Sequence, residues 1–183
     1  MSDELRVKNA VIRLAKGDIT DMEIESFVYY AQHDLALGSG FGTAIAMRGG
    51  PSIQEELKQY GTLETTGVVI SSAGSMKAEH IIHAVGPRFQ EHDLESKLRT
   101  TIINCLTLAD EKGIKSIAFP AMGVGFYGVP LGVSAEITLG TILEYLSGQT
   151  GIDEVVISLL DNREYQPYQK QFSAMSQGVE ERT

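Results

Sequence analysis

The stretch Phe119-Pro120-Ala121-Met122-Gly123-Val124-Gly125-Phe126-Tyr127-Gly128 decides how the rest of the chain is read. It grows out of an apolar run, Ser116 to Phe119, whose composition predicts a short buried strand. Three glycines within six residues follow, then Pro130 at a position suited to a helix start, then an apolar helical pattern. Glycines past a strand and before a helix let backbone N–H groups approach an anion, and the helix N-terminus adds a favourable dipole. The local chemistry therefore suggests phosphate or diphosphate binding. The same residues would also serve a tight turn used only for chain reversal.

Gly123, Gly125 and Gly128 satisfy G-x-G-x-x-G as well, so a dinucleotide-binding Rossmann fold has to be weighed. That fingerprint follows its strand at once, usually in the first βαβ unit, with an acidic residue about 20 positions on. Here Pro120, Ala121 and Met122 intervene, and the next acid ending a strand is Asp161. The match to that fold is poor.

The 183 residues suggest a single domain with a core over about 10–175 and a polar tail at 176–183. The formal net charge of −9 repels nucleic-acid phosphate over most of the surface, which argues against nonspecific nucleic-acid binding. It leaves room for a local anion site. Cys105 is the single cysteine, so neither an intrachain disulfide nor a thiolate metal cluster can form. It falls in an apolar helix pattern and reads as a buried thiol. No apolar run is long enough for a membrane span, and Met1-Ser2-Asp3-Glu4 does not read as a signal peptide. The expected setting is reducing and cytoplasmic, with no membrane partner, no metal and no cofactor.

Outward from the focal loop, strands and helices alternate. Residues 5–16 read as one or two strands, broken by Gly17-Asp18-Ile19-Thr20. Asp18 could cap a turn there or face a ligand. Ser26 to Tyr30 is a buried strand, followed by a loop with Gly38, Ser39, Gly40 and Gly42 and a helix from about Thr43. Pro51 starts a second helix. Two more strands cover Gly67 to Ser71 and His80 to Val85, the second ending in Gly86-Pro87. Leu94, Leu98, Ile102, Cys105, Leu106 and Ala109 form one helical stripe closed by Gly113. After the focal loop come a helix from about Pro130 to Leu146, an apolar strand Glu154 to Leu160, and a last helix from about Arg163. Several strands are apolar on both faces, which predicts an α/β protein, a three-layer α/β/α sandwich with a mixed central sheet. In such sheets ligands sit beyond the carboxyl ends of the strands, where Asp18, the 38–42 loop, the 123–128 loop and Asp161-Asn162 could all converge.

Taken together the chain resembles the macrodomain family, the ADP-ribose-binding α/β/α modules. The matching pieces are Gly17-Asp18-Ile19-Thr20, Gly38-Ser39-Gly40-Phe41-Gly42-Thr43-Ala44-Ile45-Ala46, Ile81-Ile82-His83-Ala84-Val85-Gly86-Pro87, and Phe119-Pro120-Ala121 through Gly125-Phe126-Tyr127-Gly128. They occur in the family's order and spacing. The resemblance implies ADP-ribose, or an ADP-ribosylated protein, as the partner. It implies that Asp18 accepts from the adenine amine with the Ile19 amide beside it. Gly38, Ser39, Gly40 and Phe41 would close on the diphosphate from one side, and Gly123, Val124 and Gly125 from the other. Phe126 and Tyr127 would flank the diphosphate and distal ribose, and Asn162 would lie at the adenine edge. His83 reads as a packed, hydrogen-bonded histidine.

The departures bear on catalysis. Where hydrolytic macrodomains carry Asn-Ala-Ala-Asn, this chain has Tyr29-Tyr30-Ala31-Gln32, so the asparagine expected against the distal ribose is Gln32 or absent. Gly42 replaces the acidic residue that positions water in one hydrolase branch, and Gly123 and Val124 replace small hydroxylated residues. These replacements favour binding, with an ADP-ribosyl hydrolase built on nonstandard residues as the alternative. His33 and Asp34 are the local candidates for a general base, since a histidine beside a carboxylate can act near neutral pH.

Overall fold

The computed structural model describes residues 3–38 and 40–182. Seven strands form one sheet: β1 (Glu4–Val7), β2 (Ala10–Lys16), β3 (Ser26–Tyr30), β4 (Val68–Ser72), β5 (His80–Ala84), β6 (Ser116–Phe119) and β7 (Glu154–Leu159). Their order is β1-β2-β7-β6-β3-β5-β4. The five inner strands, β2, β7, β6, β3 and β5, run parallel, and the edge strands β1 and β4 pair antiparallel with β2 and β5. The mixed sheet expected from the sequence is the observed one. Parallel neighbours need crossover connections, and the helices supply them: α1 (Phe41–Gly49), α2 (Ser52–Leu57), α3 (Leu94–Glu111), α4 (Leu131–Leu146) and α5 (Asn162–Glu180).

Side chains alternate across each strand, so one sheet serves two cores. Val28 and Tyr30 of β3 join the larger core with Leu98, Ile102 and Cys105 of α3 and Tyr168 and Phe172 of α5. Phe27 and Tyr29 join the smaller core with Ile45 of α1 and Ile53 and Leu57 of α2. Cys105 is fully buried, and burial pushes its thiol far up, so it is inert. Helix α5 carries the pattern further than the sequence suggests: Met175 and Val179 still pack against the larger core. Its start is fixed by a reciprocal cap. The Asp161 carboxylate accepts from the Glu164 amide, and Glu164 Oε1 accepts from the Leu160 amide at 2.7 Å.

Two buried polar networks steady the carboxyl edge. Under the focal loop, Ser134 of α4 donates to the Met122 carbonyl at 2.7 Å and lies 2.6 Å from the Tyr168 hydroxyl. Across the sheet, His83 of β5 is fully buried, with Nε2 2.8 Å from the Ser71 hydroxyl. Ser71 spends its own proton on the Ser72 carbonyl, so His83 Nε2 is the donor and Nδ1 is a bare acceptor without a partner among the described residues. Burial pushes this imidazole down from 6.5 to about 3, so it is neutral. The unfolded chain therefore takes up the proton first as pH falls. Stability from this source is complete above about pH 6.5 and drains away between there and about pH 3. At pH 5 the loss should be about 2 kcal/mol relative to neutral pH. Urea denaturation at pH 7 and pH 5 should give a difference smaller by about that amount in His83→Gln than in the native protein. Identical pH dependence in the two would mean that His83 does not change protonation on unfolding.

Candidate functional site

A cleft of about 470 Å³ opens over the carboxyl ends of the parallel strands. Gly17, Ile19 and Thr20 line it after β2, and Tyr29, Tyr30 and Gln32 line it at the end of β3. The start of α1 contributes Gly40 and Phe41, and the loop after β6 contributes Gly123 through Tyr127. Leu160, Arg163 and Glu164 follow β7. From β2 to β3 the sheet takes three steps, through β7 and β6, which at about 4.8 Å per step spans about 14 Å. The cleft is thus an elongated trough whose ends lie at Ile19 and at Tyr29.

At the β2 end, Asp18 caps a turn, the first of the two roles foreseen for it, and its neighbours Gly17 and Ile19 line the cleft. Its Oδ1 accepts from the Thr20 amide at 2.9 Å and the Thr20 hydroxyl at 2.6 Å, capping a single 3-10 turn, Ile19–Asp21. Its Oδ2 accepts from the Arg48 guanidinium of α1 at 3.3 Å. A carboxylate offers about four acceptor sites, so one on Oδ2 is left for a further donor beside the cleft. Partial burial pushes the Asp18 carboxyl up, but the Thr20 hydroxyl, the Thr20 amide and Arg48 together hold it below its ordinary value. It is ionised at neutral pH.

Between these ends, the start of α1 and the loop after β6 both line the trough. Gly40 adopts φ +55° and turns the chain into α1, where the Thr43 amide donates back to the Gly40 carbonyl at 3.2 Å and a helix start leaves its earliest amides without an intrahelical acceptor. Opposite, Gly123 and Gly125 adopt φ +76° and +83°, a left-handed backbone that only glycine enters without strain. A Cβ on Gly123 would lie 2.6 Å from Val129 Cγ2. Residues Gly125–Tyr127 then form a 3-10 turn closed by Gly128 at φ +80°. The loop after β5 straps this turn from outside: the Phe89 amide donates to the Tyr127 carbonyl at 3.0 Å, and the Arg88 guanidinium sits 5.4 Å from the Phe126 ring centre.

The β3 end is aromatic. The Tyr30 hydroxyl donates to the Pro87 carbonyl, and its ring packs on Tyr127 with centres 4.6 Å apart. Tyr29 stands edge-on to the His83 ring at 6.0 Å. Burial raises both phenols, Tyr29 to about 12, so each remains protonated.

Of the residues singled out from the sequence, Ile19, Gln32, Gly40, Phe41, Gly123, Val124, Gly125, Phe126 and Tyr127 line the trough together, with Asp18 beside it. Ser39 lies outside the described residues. Gly38 is exposed and is not among the residues that line this cleft. Asn162 opens α5 and accepts from Lys16 Nζ at 2.9 Å, while its neighbours Arg163 and Glu164 face the trough instead. His33 and Asp34 are exposed and each is engaged elsewhere. His33 Nδ1 donates to the Leu63 carbonyl at 2.7 Å, and Asp34 accepts from the Ala36 amide at 3.0 Å. Sequence reasoning treated Tyr29 and Tyr30 only as replacements; their place at the end of a parallel strand was the signal that they face the ligand edge. Among the described residues no group of three or more His, Cys, Asp or Glu is arranged to hold a metal ion, and no helix is long and apolar enough to cross a membrane.

Comparison with known proteins agrees with this geometry. The family model described as Macro domain matches residues 29–138. A macro domain-containing protein of Caldanaerobacter subterraneus is 39% identical over 170 residues, covering 90% of this chain and 97% of the relative. A protein of Enterobacter sp. named O-acetyl-ADP-ribose deacetylase is 36% identical over 165 residues, covering 87% and 92%. Among solved structures, a mutant of the Oceanobacillus iheyensis macrodomain with ADPR superposes with a TM-score of 0.88 at 29% identity, covering 94% of this chain and 97% of that one. The Trypanosoma brucei macrodomain in complex with ADP-ribose superposes with a TM-score of 0.82 at 27% identity, covering 87% and 68%. The chain belongs to the macro domain family.

Proposed function

We propose that the trough binds ADP-ribose, free or attached to a protein. The adenine lies at Asp18, the diphosphate lies between the start of α1 and the Gly123–Tyr127 loop, and the second ribose lies at the Tyr29 end. The observation that carries this reading is that the start of α1 and the glycine loop Gly123–Tyr127 line one trough. A doubly charged diphosphate in a protein of net charge −9 needs local donors, and backbone amides supply them with the α1 dipole behind them. The span of about 14 Å suits a nucleoside, two phosphates and a second sugar in line. Two similar proteins are described as solved with ADPR and ADP-ribose, which supports the same ligand here. The single buried thiol fits a reducing cytoplasmic setting.

The relative named a deacetylase raises hydrolysis as a second reading. Against fast hydrolysis stand the groups at the β3 end. The phenols stay neutral, Gly42 has no side chain, and His33 and Asp34 are held by Leu63 and Ala36. Each positioned catalytic group typically contributes 10²–10⁴-fold, so losing them leaves a binder with slow turnover.

Three outcomes are expected. Calorimetric titration should show Asp18→Ala weakening ADP-ribose binding by about 1.5–3 kcal/mol, with the hypoxanthine analogue losing a comparable amount on the native protein. Unchanged affinity in both would remove Asp18 from the site. Gly125→Glu adds a carboxylate where the backbone approaches the diphosphate; a Cβ there meets nothing within 4 Å, and the strain of φ +83° falls on a surface loop and leaves the sheet intact. Binding should vanish while circular dichroism stays native; retained affinity would mean that the glycines serve the turn alone. Finally, release of ADP-ribose from modified glutamate or aspartate side chains should be slow, and His33→Ala should leave both that rate and ADP-ribose affinity within twofold. A fast native enzyme that His33→Ala cripples would reverse the reading of the β3 end.

A further inference from the structure

We propose that the Tyr29 hydroxyl is the specificity-determining contact at the β3 end, bonding a hydroxyl of a second sugar, so that the trough prefers a nucleoside diphosphate bearing that sugar over the bare nucleoside diphosphate. The inference rests on the reading of the trough as an ADP-ribose site.

Tyr29 lines the trough, yet its hydroxyl has no hydrogen-bond partner among the described residues. The phenols of Tyr30, Tyr60, Tyr145 and Tyr168 are bonded, to Pro87, Ile70, Asp110 and Ser134, so of the three phenols that line the trough Tyr30 is spent and Tyr29 stands with Tyr127, which follows β6. The Tyr29 ring itself is held. It is 8% exposed at the end of a central strand and stands edge-on to His83, which Ser71 anchors in turn. A fixed ring with an open hydroxyl is a preorganised contact, since ordering it costs little when a ligand arrives.

Position 42 has made room for it. A Cβ on Gly42, the second residue of α1, would lie 2.5 Å from the Tyr29 oxygen and 3.1 Å from Leu37 Cα. The phenol oxygen therefore occupies the space a side chain at the mouth of α1 would enter, and only glycine there permits it.

The chemistry of this end selects a neutral group. Burial, with Tyr127 and Asp34 nearby, keeps the Tyr29 phenol protonated, so it both donates and accepts. Asp34 brings negative charge to the neighbourhood, and the cation that lines the trough, Arg163, follows β7 rather than β3. A further phosphate would be repelled at the Tyr29 end, whereas a sugar hydroxyl matches a phenol in both donor and acceptor roles.

The test titrates ADP-ribose and ADP, separately, into the full chain and into Tyr29→Phe, Gly42→Ala and the double variant, with thermal melts to check folding. The native protein should bind ADP-ribose more tightly than ADP. Tyr29→Phe keeps the ring and should weaken ADP-ribose about 3- to 10-fold while ADP changes less than twofold. Gly42→Ala should displace the phenol and cause a loss of the same kind. Because both act on one oxygen, the double variant should lose little more than Tyr29→Phe alone. An unchanged ADP-ribose to ADP ratio in Tyr29→Phe overturns the proposal, as does an equal loss for both ligands. Failure of the native protein to bind either ligand overturns the ADP-ribose reading itself, and this proposal with it. Tight binding of both ligands with no native preference overturns this proposal alone.

Discussion

Five strands running the same way are the constraint on which this molecule depends. Because β2, β7, β6, β3 and β5 are parallel, every crossover brings its loop back to one edge, and the loops that matter face one another without further arrangement. The antiparallel edge strands β1 and β4 play no part in the trough; they close the sheet at its flanks. Parallel pairing also forces burial on both faces, which explains why β3 reads Phe27, Val28, Tyr29, Tyr30 with no polar alternation. The alternation survives in another form, as two cores, and it sends Tyr30 towards α3 and Tyr29 towards α1.

The legible part of the sequence was whatever repeats locally. Strand and helix periodicity gave the layers, and glycines after strands marked the places where the backbone turns left-handed, as it does at Gly40, Gly123, Gly125 and Gly128. Asp18 was legible for the same reason, since its partner Thr20 is two residues away. What was hidden depended on contacts between residues far apart in the chain. Arg48 reaches Asp18 from 30 residues on, Lys16 takes Asn162 from 146 residues away, and Leu63 claims His33. A histidine next to a carboxylate looks like a catalytic pair until the fold gives each a different acceptor or donor. Neighbours along a chain tend to point apart, and here a carbonyl 30 residues away decides the matter.

Rigidity beneath the trough follows from polar groups that the sequence offers no way to pair. Ser134 and Tyr168 sit 34 residues apart on separate helices, yet together they hold the Met122 carbonyl just ahead of the first left-handed glycine. An unbonded carbonyl at that depth would cost about 1–3 kcal/mol, so the network both stabilises the loop and sets its height above the sheet. Outside, the Phe89 amide and the Arg88 guanidinium fix the same loop from the opposite side. The loop is held from beneath and from outside while its residues Gly123 through Tyr127 line the trough.

The charge of the protein explains why the backbone, rather than side chains, does the proposed work of anion binding. With 24 acidic against 15 basic residues, long-range attraction for a diphosphate is absent, and any affinity has to come from short-range geometry. Amides at a helix start and in a glycine turn suit that role, because they carry no net charge and are already ordered before a ligand arrives. The same logic extends to both ends of the trough. Asp18 is ionised, as the proposed acceptor for an adenine amine should be, and Tyr29 is neutral, as the proposed partner of a sugar hydroxyl should be. On the proposed reading, Gly42 withdraws a side chain from the mouth of α1 and the neutral Tyr29 phenol takes its space, an exchange that would favour holding a sugar over attacking it.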